Sequence, residues 1–575
     1  MKYLGTKVGN GLGIGKCYIV NEETLSIDDT ILTSNWSLEL DKVMTSVTEL
    51  ITEYEEKIKS SSQKDLTELL EFNKMILLAE SLSLRIKELI IDKKCNGAYA
   101  IRTYFLERAE ELSKVDNEYL KLRVLDIRDI SDKLQRKFLN IKEFSLKDLS
   151  EDVILVSKEI KPYMLLSGDV KHVKGIISEI GGKTGHVGIL STSLGIPSVF
   201  GTKDISNILK NGEMLFIDGN AGVIETEISN EYKKEIDSMI LRELELKKDL
   251  EAMSHKDAVT TDGVRFDVAL NTGDISEVDK LDSFEFDGIG LFRSEFLYLN
   301  RNSEPSEDYL YEVYKKFVVK MKNKPVIIRT LDIGGDKTSS YIKIGDEENP
   351  FLGYRAIRYC LDNKDLFKTS LRAILRASAN GTVMIMYPMI SSKEEIESAN
   401  VILEEAKEEL RIENIKFDEF IKVGIMIEIP SVAVMAEQIV KYVDFYSIGT
   451  NDLVQYTLAV DRTNPTVSKL YNWFNPGVIR LIKTTIDATK KTKKFTGMCG
   501  EMAADPLSII LLVGLGLDEF SVNYSAILKT KKLISLLNKK EAEKIANKVL
   551  ELTNVKDIED LLVRHAKEKY GKYYS

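Results

Sequence analysis

The sequence predicts a multidomain α/β protein, in which an α/β domain carries an inserted four-helix bundle and a connector helix leads to a C-terminal (β/α)8 TIM barrel. Two patterns lead to this fold class. In the C-terminal half, short apolar runs alternate with helical segments, which is the signature of repeated strand–helix units. In the N-terminal half, a long stretch of helical periodicity interrupts a second region of short strands and helices. The predicted boundaries are 1–20 with 142–228 for the α/β domain, 21–141 for the bundle, 229–260 for the helical linker and 261–575 for the barrel.

The composition is that of a folded protein with an acidic surface. Of the 575 residues, 43% are hydrophobic, and the formal net charge is −11, which argues against nucleic acid as the main partner. No run approaches the roughly 18 apolar residues of a membrane span, and the first residues lack the apolar core of a secretory signal, so we expect no membrane insertion. The four cysteines match no disulfide or zinc spacing. Together these features predict a cytoplasmic protein.

The first twenty residues carry glycines at alternate positions from Gly9 to Gly15, followed by a strand-like run. A dinucleotide-binding glycine loop must follow a strand and open a helix. Here the glycines precede the strand, so we exclude dinucleotide binding and assign the segment to the sheet of the α/β domain.

The bundle is predicted from apolar residues at three- and four-residue spacing. The first stripe consists of Leu40, Val43, Val47, Leu50, Tyr54 and Ile58. Helical patterns continue in the segment containing Leu69 to Met75, over 98–112 and over about 117–139. Four helices with one apolar stripe each favour a bundle whose stripes form its core.

Residues 175–201 predict a strand, a glycine turn, a helix and a second strand in succession. His186 falls at the start of this helix, where unpaired backbone N–H groups and the helix dipole favour an anion such as phosphate. A neutral imidazole is also a good nucleophile, which suits a covalent phosphohistidine. Glycine turns before helices are common, however, so the local sequence alone favours a histidine that packs a turn.

The barrel is predicted from eight candidate strands, namely 264–270, 287–291, 325–330, 383–387, 422–427, 444–448, 494–498 and 518–522. A charged, proline-free stretch at about 229–254 precedes them and predicts one long solvated helix. TIM barrels carry their chemistry at the carboxyl ends of their strands. Polar outliers fall at five of these ends: Arg293, Arg329, Glu428, Asn451 with Asp452, and Cys499.

These residue types suit an anionic substrate. Arginine forks bind phosphate and carboxylate groups bidentately, and the candidates are Arg293, Arg329, Arg355, Arg358 and Arg462. Glu428 and Asp452, with substrate oxygens and water, make a plausible Mg²⁺ site. A lone cysteine is usually inert packing, but the place of Cys499 at a strand end between glycines favours an exposed, reactive thiol.

The stretch 181–201 (GGKTGHVGILSTSLGIPSVFG) resembles the phosphohistidine signature of the phosphoenolpyruvate-utilising enzymes. Long barrel motifs resemble the same family: 288–297 (GIGLFRSEFL), 329–337 (RTLDIGGDK), 349–355 (NPFLGYR), 447–453 (SIGTNDL), 461–462 (DR) and 497–501 (GMCGE). Within that family, nearly the whole chain is similar to the Enzyme I group of the bacterial sugar phosphotransferase system.

The resemblance implies a function and a role for each matched residue. Phosphoenolpyruvate would phosphorylate His186 and leave as pyruvate, and the phosphoryl group would pass to a histidine of the phosphocarrier protein HPr, bound at the bundle. Phosphoenolpyruvate would be held by Arg293, Arg329, Asn451, Asp452 and Arg462, and Mg²⁺ by Glu428 and Asp452. Cys499 would protonate the enolate carbon. The barrel would mediate a homodimer.

The α/β domain and the bundle depart from the family pattern at four positions. Lys161 stands where the family has threonine, Gly185 where it has serine, Thr192 where it has arginine and Asn73 where it commonly has histidine. Because a positive charge is lost at 192 and gained at 161, we hypothesise that Lys161 compensates by placing a cation near the phosphoryl group.

The departures leave alternatives to the leading function. A divergent paralogue with a specialised or regulatory carrier and altered activity is one. A dikinase or phosphoenolpyruvate synthase relative is less favoured, since it would add a large ATP-binding domain before this region, and we expect no ATP site here.

Overall fold

The computed structural model divides into two compact units, Met1–Leu244 and Glu245–Ser575. It describes residues 1–20, 35–60, 64–113, 118–141, 146, 149–161, 164–165, 170–182, 186–299, 301, 303–335, 341–342, 344–345 and 347–574. Multidomain α/β architecture is therefore confirmed, whereas the finer four-part division of the chain stays a prediction.

The α/β part of the first unit is a sheet of eight strands. They are β1 (Lys2–Leu4), β2 (Thr6–Gly9), β3 (Leu12–Ile19), β4 (Val153–Ser157), β5 (Val173–Ser178), β6 (Ser198–Phe200), β7 (Met214–Asp218) and β8 (Val223–Glu225). Their order is β1-β8-β7-β3-β4-β5-β6-β2, with β3 to β6 parallel and the outer pairs antiparallel. The alternate glycines serve close packing in this sheet, because a Cβ on Gly13 would lie 1.9 Å from the carbonyl oxygen of Lys174.

The bundle follows β3 in the chain and contains five described helices. They are α1 (Trp36–Ser60), α2 (Lys64–Leu77), α3 (Glu80–Asp92), α4 (Gly97–Ser113) and α5 (Glu118–Phe138). Both α2 and α3 pack against α1, and only Leu78 and Ala79 separate them. These two short helices together take the place of one helix of the predicted four-helix bundle. Helix α3 was not predicted, although its buried residues Leu82, Ile86, Leu89 and Ile90 keep helical spacing.

Two helices of the α/β part and one long helix complete this half of the chain. Helix α6 (His186–Ser193) joins β5 to β6, and α7 (Ile205–Ile208) follows β6. Helix α8 (Asn230–Glu251) is the predicted connector; its residues are mostly exposed or half-buried, and Ile236 is its buried apolar residue.

The second unit is a closed barrel of eight parallel strands. They are β10 (Arg265–Thr272), β11 (Ile289–Arg293), β12 (Val326–Arg329), β13 (Val383–Tyr387), β14 (Lys422–Ile427), β15 (Phe445–Ile448), β16 (Phe495–Met498) and β17 (Glu519–Val522). Parallel pairing of β17 with β10 closes the ring, and a short antiparallel β9 (Ala258–Val259) lies beside β10. The predicted TIM barrel is thus confirmed, with each strand end within two residues of its predicted place.

Helices follow the strands around the barrel. The described ones are α9 (Glu307–Met321), α10 (Ile357–Asp362), α11 (Lys364–Ser378), α12 (Lys393–Ile412), α13 (Pro430–Val434), α14 (Ala436–Ile439), α15 (Thr450–Leu458), α16 (Pro476–Thr492), α17 (Pro506–Leu515), α18 (Ile527–Ser535), α19 (Lys539–Glu551) and α20 (Val555–Tyr570). A large apolar core involves residues of both strands and helices. A smaller cluster comes from strand residues, namely Leu291, Ile327, Met384, Met386, Met426 and Phe445, together with Cys499. Among the described residues, no helix is long and apolar enough to cross a membrane.

Candidate active site

Two arginines stand side by side at the carboxyl ends of neighbouring barrel strands. Arg293 ends β11, Arg329 ends β12, and the two residues are partners in the strand register. Arg329 is 6% exposed, its Nη2 donates to Glu295, and the same nitrogen lies 3.2 Å from Asp332. Burial opposes the charge of Arg329, but the carboxylates of Glu295, Asp332 and Glu428 outweigh it and raise its pKa above the ordinary value. Arg329 is therefore a fixed cation at the barrel mouth.

A row of alternating charges continues from Arg329. The Oδ1 atom of Asp332 accepts a 2.9 Å hydrogen bond from Arg355, whose Nη1 lies 3.4 Å from both Asp452 Oδ1 and Tyr456 OH. Asp332 and Arg355 are each 2% exposed. Buried charges are costly unless they are paired, so the row Glu295–Arg329–Asp332–Arg355–Asp452 orients both guanidinium groups.

Glu295 and Asp332 lie within the motifs 288–297 and 329–337 but were not predicted as site residues. Glu295 comes two residues after β11 ends, and Asp332 comes three residues after β12 ends. The signal that could have found them is the one that found Arg293, a charged side chain directly beyond an apolar strand.

Glu428 follows β14 and is 1% exposed. Its Oε1 accepts the backbone N–H of Met389, and burial, together with the charges of Asp452 and Asp332, raises the pKa of this carboxyl. Gly449 makes room for it, because a Cβ at that position would lie 2.8 Å from Glu428 Oε2.

Asp452, in the first turn of α15, has a side chain that is 14% exposed. Among the described residues, no group of three or more histidine, cysteine, aspartate or glutamate side chains could hold a metal ion. Glu428 and Asp452 nevertheless fit Mg²⁺, which usually takes one or two carboxylates and completes its shell with substrate oxygens and water. Burial is the main cause of the raised pKa of Glu428, and the charges of Asp452 and Asp332 add to it, so a cation held by these carboxylates would favour the ionised form of Glu428.

Asn451 and Arg462 belong to the same rim of the barrel. The carboxamide of Asn451 donates to Glu501 Oε1 and accepts the Glu501 backbone N–H, both at 3.2 Å. Tyr471 donates its hydroxyl to the Asn451 carbonyl at 3.1 Å. Burial raises the pKa of Tyr471 to about 12, and the positive charge of Arg462 opposes this rise, which shows that Arg462 lies near that ring.

Cys499 departs from its expected exposure. It is 5% exposed, follows β16, and packs in the cluster with Leu291 and Met426, so the prediction of an exposed thiol is wrong. The strand end turns the side chain into the barrel rather than out to solvent. Burial raises the pKa of the thiol, against the opposing effects of the Ser447 hydroxyl and Arg329. Such a thiol stays protonated near neutral pH and suits a proton donor better than a nucleophile.

Arg358 lies apart from the charged row. Its Nη1 donates to the carbonyls of Leu352 at 3.0 Å and Gly353 at 2.9 Å, so it shapes the loop that precedes it. Of the five arginines that the sequence analysis grouped, Arg329 and Arg355 share the row, Arg293 adjoins it, and Arg462 lies near Tyr471.

In the first unit, His186 begins α6, as predicted. The His186 side chain and residues 183–185, including Gly185, lie outside the described residues. Thr192 donates its hydroxyl to the carbonyls of Gly188 at 2.8 Å and Val8 at 3.2 Å, so this position ties α6 to β2 instead of supplying a cation.

Lys161 carries the charge that our compensation hypothesis needs. Its ammonium lies 3.4 Å from Asp132 and 3.8 Å from Asp129, both on α5 of the bundle. The compensation by Lys161 stays a prediction. Asn73, the fourth departure, keeps its Oδ1 buried without a hydrogen-bond partner among the described residues.

Comparisons with known proteins place these features in context. Three family models match the chain: the PEP-binding domain of PEP-utilising enzymes over 247–539, their mobile domain over 149–222 and their N-terminal domain over 4–123. Relatives named "Phosphoenolpyruvate-protein phosphotransferase" align over nearly their full lengths. The protein from Mycoplasma capricolum is 37% identical, covering 97% of this chain and 98% of its own. Those from Buchnera aphidicola and Staphylococcus aureus are 39% and 38% identical, covering 97% and 98% of this chain and 99% of their own.

Proposed function

Since the chain belongs to the phosphoenolpyruvate-utilising enzymes, and within them to the phosphoenolpyruvate-protein phosphotransferases, we propose that His186 receives the phosphoryl group, pyruvate is released, and HPr is the protein acceptor. Phosphoenolpyruvate-dependent phosphotransfer follows from the family itself. The observation that supports the finer steps is the barrel mouth, where Arg293 and Arg329 adjoin buried carboxylates and the Cys499 thiol.

The arginines are the proposed phosphate and carboxylate ligands. Phosphoryl transfer needs little covalent help from the protein and depends on positioning and on charge stabilisation. Arg329 is pre-oriented by Glu295 and Asp332, so it spends little conformational entropy when substrate arrives. Asn451, held by Glu501, and Arg462 would complete the binding set.

Glu428 and Asp452 are the proposed Mg²⁺ ligands. Mg²⁺, when bound, would polarise the phosphoryl oxygens and stabilise the enolate that forms when phosphorus leaves. Cys499 would then deliver its proton to the enolate carbon, a role that fits a buried thiol with a raised pKa.

His186 would attack the phosphorus as a neutral imidazole and carry the phosphoryl group between two sites. Its position at the start of α6 supports this role, because helix N-termini favour anions. Transfer from the barrel to a carrier requires two arrangements of the histidine-bearing domain, so we propose that it moves between them.

The carrier is proposed to dock on the bundle. Met75, Leu78 and Leu84 are each about 60% exposed there, which is unusual for large apolar side chains and suits a protein partner. On the resemblance to Enzyme I, we further propose HPr as that partner, sugar uptake as the process served and a homodimer as the assembly.

The test is incubation with phosphoenolpyruvate labelled at phosphorus, with Mg²⁺, for the wild type and His186→Ala. His172→Ala is the matched control, since His172 is another histidine of the α/β part and pairs with Asp152 at its surface. We expect label that is stable to alkali and lost in acid, present in the wild type and the control and absent from His186→Ala. Label that persists in His186→Ala would refute the proposed acceptor.

Addition of HPr then tests the partner. Rapid transfer of label to HPr supports the general carrier. Labelled protein that does not transfer to HPr would favour a divergent paralogue with a specialised or regulatory carrier, which the altered positions Lys161 and Thr192 keep as the second candidate.

A further inference from the structure

The carboxamide of Asn271 links β10 to β17 and to the residue that follows β16, at the mouth of the barrel. Asn271 is the penultimate residue of β10, and its Nδ2 donates to the carbonyl of Ser521 at 2.9 Å and to the carbonyl of Cys499 at 3.0 Å. The Ser521 hydroxyl donates back to Asn271 Oδ1 at 2.5 Å. Both donor positions and the acceptor of this carboxamide are therefore used, which fixes its orientation.

Cys499 needs such a contact because strand pairing stops just before it. The register of β16 with β17 ends at Met498 opposite Phe520, one residue short of Cys499. On its other side, the Cys499 N–H donates to the Ile448 carbonyl at 3.1 Å. The amide of Cys499 is thus held by β15, and its carbonyl is held by the side chain of Asn271.

The residues around Cys499 make this bracing necessary. Gly497 lies two residues before Cys499 and Gly500 directly follows it, and glycine restrains the backbone least of all residues. A thiol that must meet one face of a flat enolate needs a backbone that does not shift, because displacement of about 1 Å can remove most of the benefit of a positioned acid.

We infer that Asn271 is a positioning residue for the Cys499 proton donor, with Ser521 as its orienting partner. This inference rests on the proposed role of Cys499. In the step concerned, the S–H bond of Cys499 breaks and a C–H bond forms at C3 of the enolate. The electron pair of the enolate C=C makes the new bond, the C–O⁻ becomes the C=O of pyruvate, and the thiolate regains its proton from water.

The experiment separates proton delivery from phosphoryl transfer. The substrate carries deuterium and tritium at defined positions on C3, so protonation in ordinary water gives a methyl group whose configuration reports the face attacked. Protein labelling from phosphorus-labelled phosphoenolpyruvate is measured in parallel with the full chain. The variants are Asn271→Ala and the near-isosteric Asn271→Asp, with Ser521→Ala expected to act more weakly.

The matched control is Asn380→Ala. The Asn380 carboxamide also donates to two carbonyls, those of Arg376 and Ala377, but it follows α11 directly before β13, away from the strand ends that carry the site. We expect Asn271→Ala to keep protein labelling within about twofold of the wild type while the ratio of methyl configurations falls about tenfold. The control should leave both quantities unchanged.

Two results would overturn the inference. One is a methyl configuration that stays intact in both Asn271 variants. The other is an equal fall in labelling and in stereochemical ratio, which would mean that Asn271 supports the site as a whole. Cys499→Ala tells the two proposals apart. If it leaves the configuration intact, the role proposed for Cys499 is wrong; if it scrambles the configuration while the Asn271 variants do not, only the role of Asn271 is wrong.

Discussion

Glu519, at the start of β17, allows a sharp test of how a buried acid couples barrel stability to pH. Its side chain fits beside Gly290 and Gly497, where added Cβ atoms would lie 2.6 Å and 2.8 Å from Glu519 Oε1. That oxygen is buried and has no hydrogen-bond partner among the described residues. The nearby carboxylates are already paired: Asp267 and Asp287 with Arg265, and Asp518 with Lys490.

Burial, and then the charges of Asp267, Asp287 and Asp518, raise the pKa of Glu519 from 4.5 to about 8. The folded state therefore binds a proton that the unfolded chain releases above pH 4.5. The contribution of this proton to the free energy of unfolding is complete below pH 4.5 and is lost as pH rises to about 8. It amounts to about 5 kcal/mol, of which about 3 kcal/mol is lost by pH 7.

The perturbation is Glu519→Gln, which keeps the shape and removes the titration. The free energy of unfolding of this variant, minus that of the wild type, should rise by several kcal/mol between pH 5 and pH 8 and then level off. Urea titrations at each pH can follow Trp473, the tryptophan of the second unit, in a Trp36→Phe background. Glu551→Gln, at an exposed carboxylate ending α19, is the matched control. A difference between Glu519→Gln and wild type that stays flat over this range would refute the reasoning.

Three further changes test the charged site and the departures from the family pattern. Gly449→Ala would place a Cβ 2.8 Å from Glu428 Oε2, so we expect about 1–3 kcal/mol of destabilisation and a higher KM for phosphoenolpyruvate, whereas Gly345→Ala, with open space around it, should change neither. Asp332→Asn weakens the ion pairs of Asp332 with Arg329 and Arg355. We expect the free energy of unfolding to fall by about 3 kcal/mol or more and kcat/KM to decrease. Unchanged kinetics would contradict the proposal that this row orients the arginines. If Lys161 supplies a compensating cation, Lys161→Thr should slow labelling of the protein from phosphoenolpyruvate. The control Lys16→Thr, which removes a surface ion pair with Glu151, should leave the labelling rate unchanged. Labelling of Lys161→Thr that is unchanged or faster would reject the hypothesis.

The barrel could be predicted because its signals are local. Each strand is a short apolar run between helical patterns, and several site residues end such a run or directly follow it, as Arg293 ends β11 and Glu428 follows β14. Parallel strands bring their carboxyl ends to one rim, so residues more than 200 positions apart, such as Arg293 and Cys499, become neighbours by topology alone. The same logic would have included Glu295 and Asp332.

The sequence could not supply the directions in which side chains point or the residues that they contact. The exposure expected for Cys499 was wrong because a residue just beyond a strand can point into the barrel or out of it, and only packing decides which. Packing likewise decides that Arg358 binds the carbonyl of Leu352 in a loop instead of joining the charged row. The break between α2 and α3 also escaped the pattern, since helical spacing resumes after it.

The order of strands and helices, the family motifs and the identities of the charged residues are therefore determined by the sequence itself, because hydrophobic periodicity and residue chemistry act locally. Only the tertiary structure decides that Arg329, Asp332, Arg355 and Asp452 form one row of paired charges. It likewise decides that Asn271 reaches past β17 to hold the carbonyl of Cys499. Such contacts depend on burial and on distances of a few ångströms between distant segments, which no local pattern records.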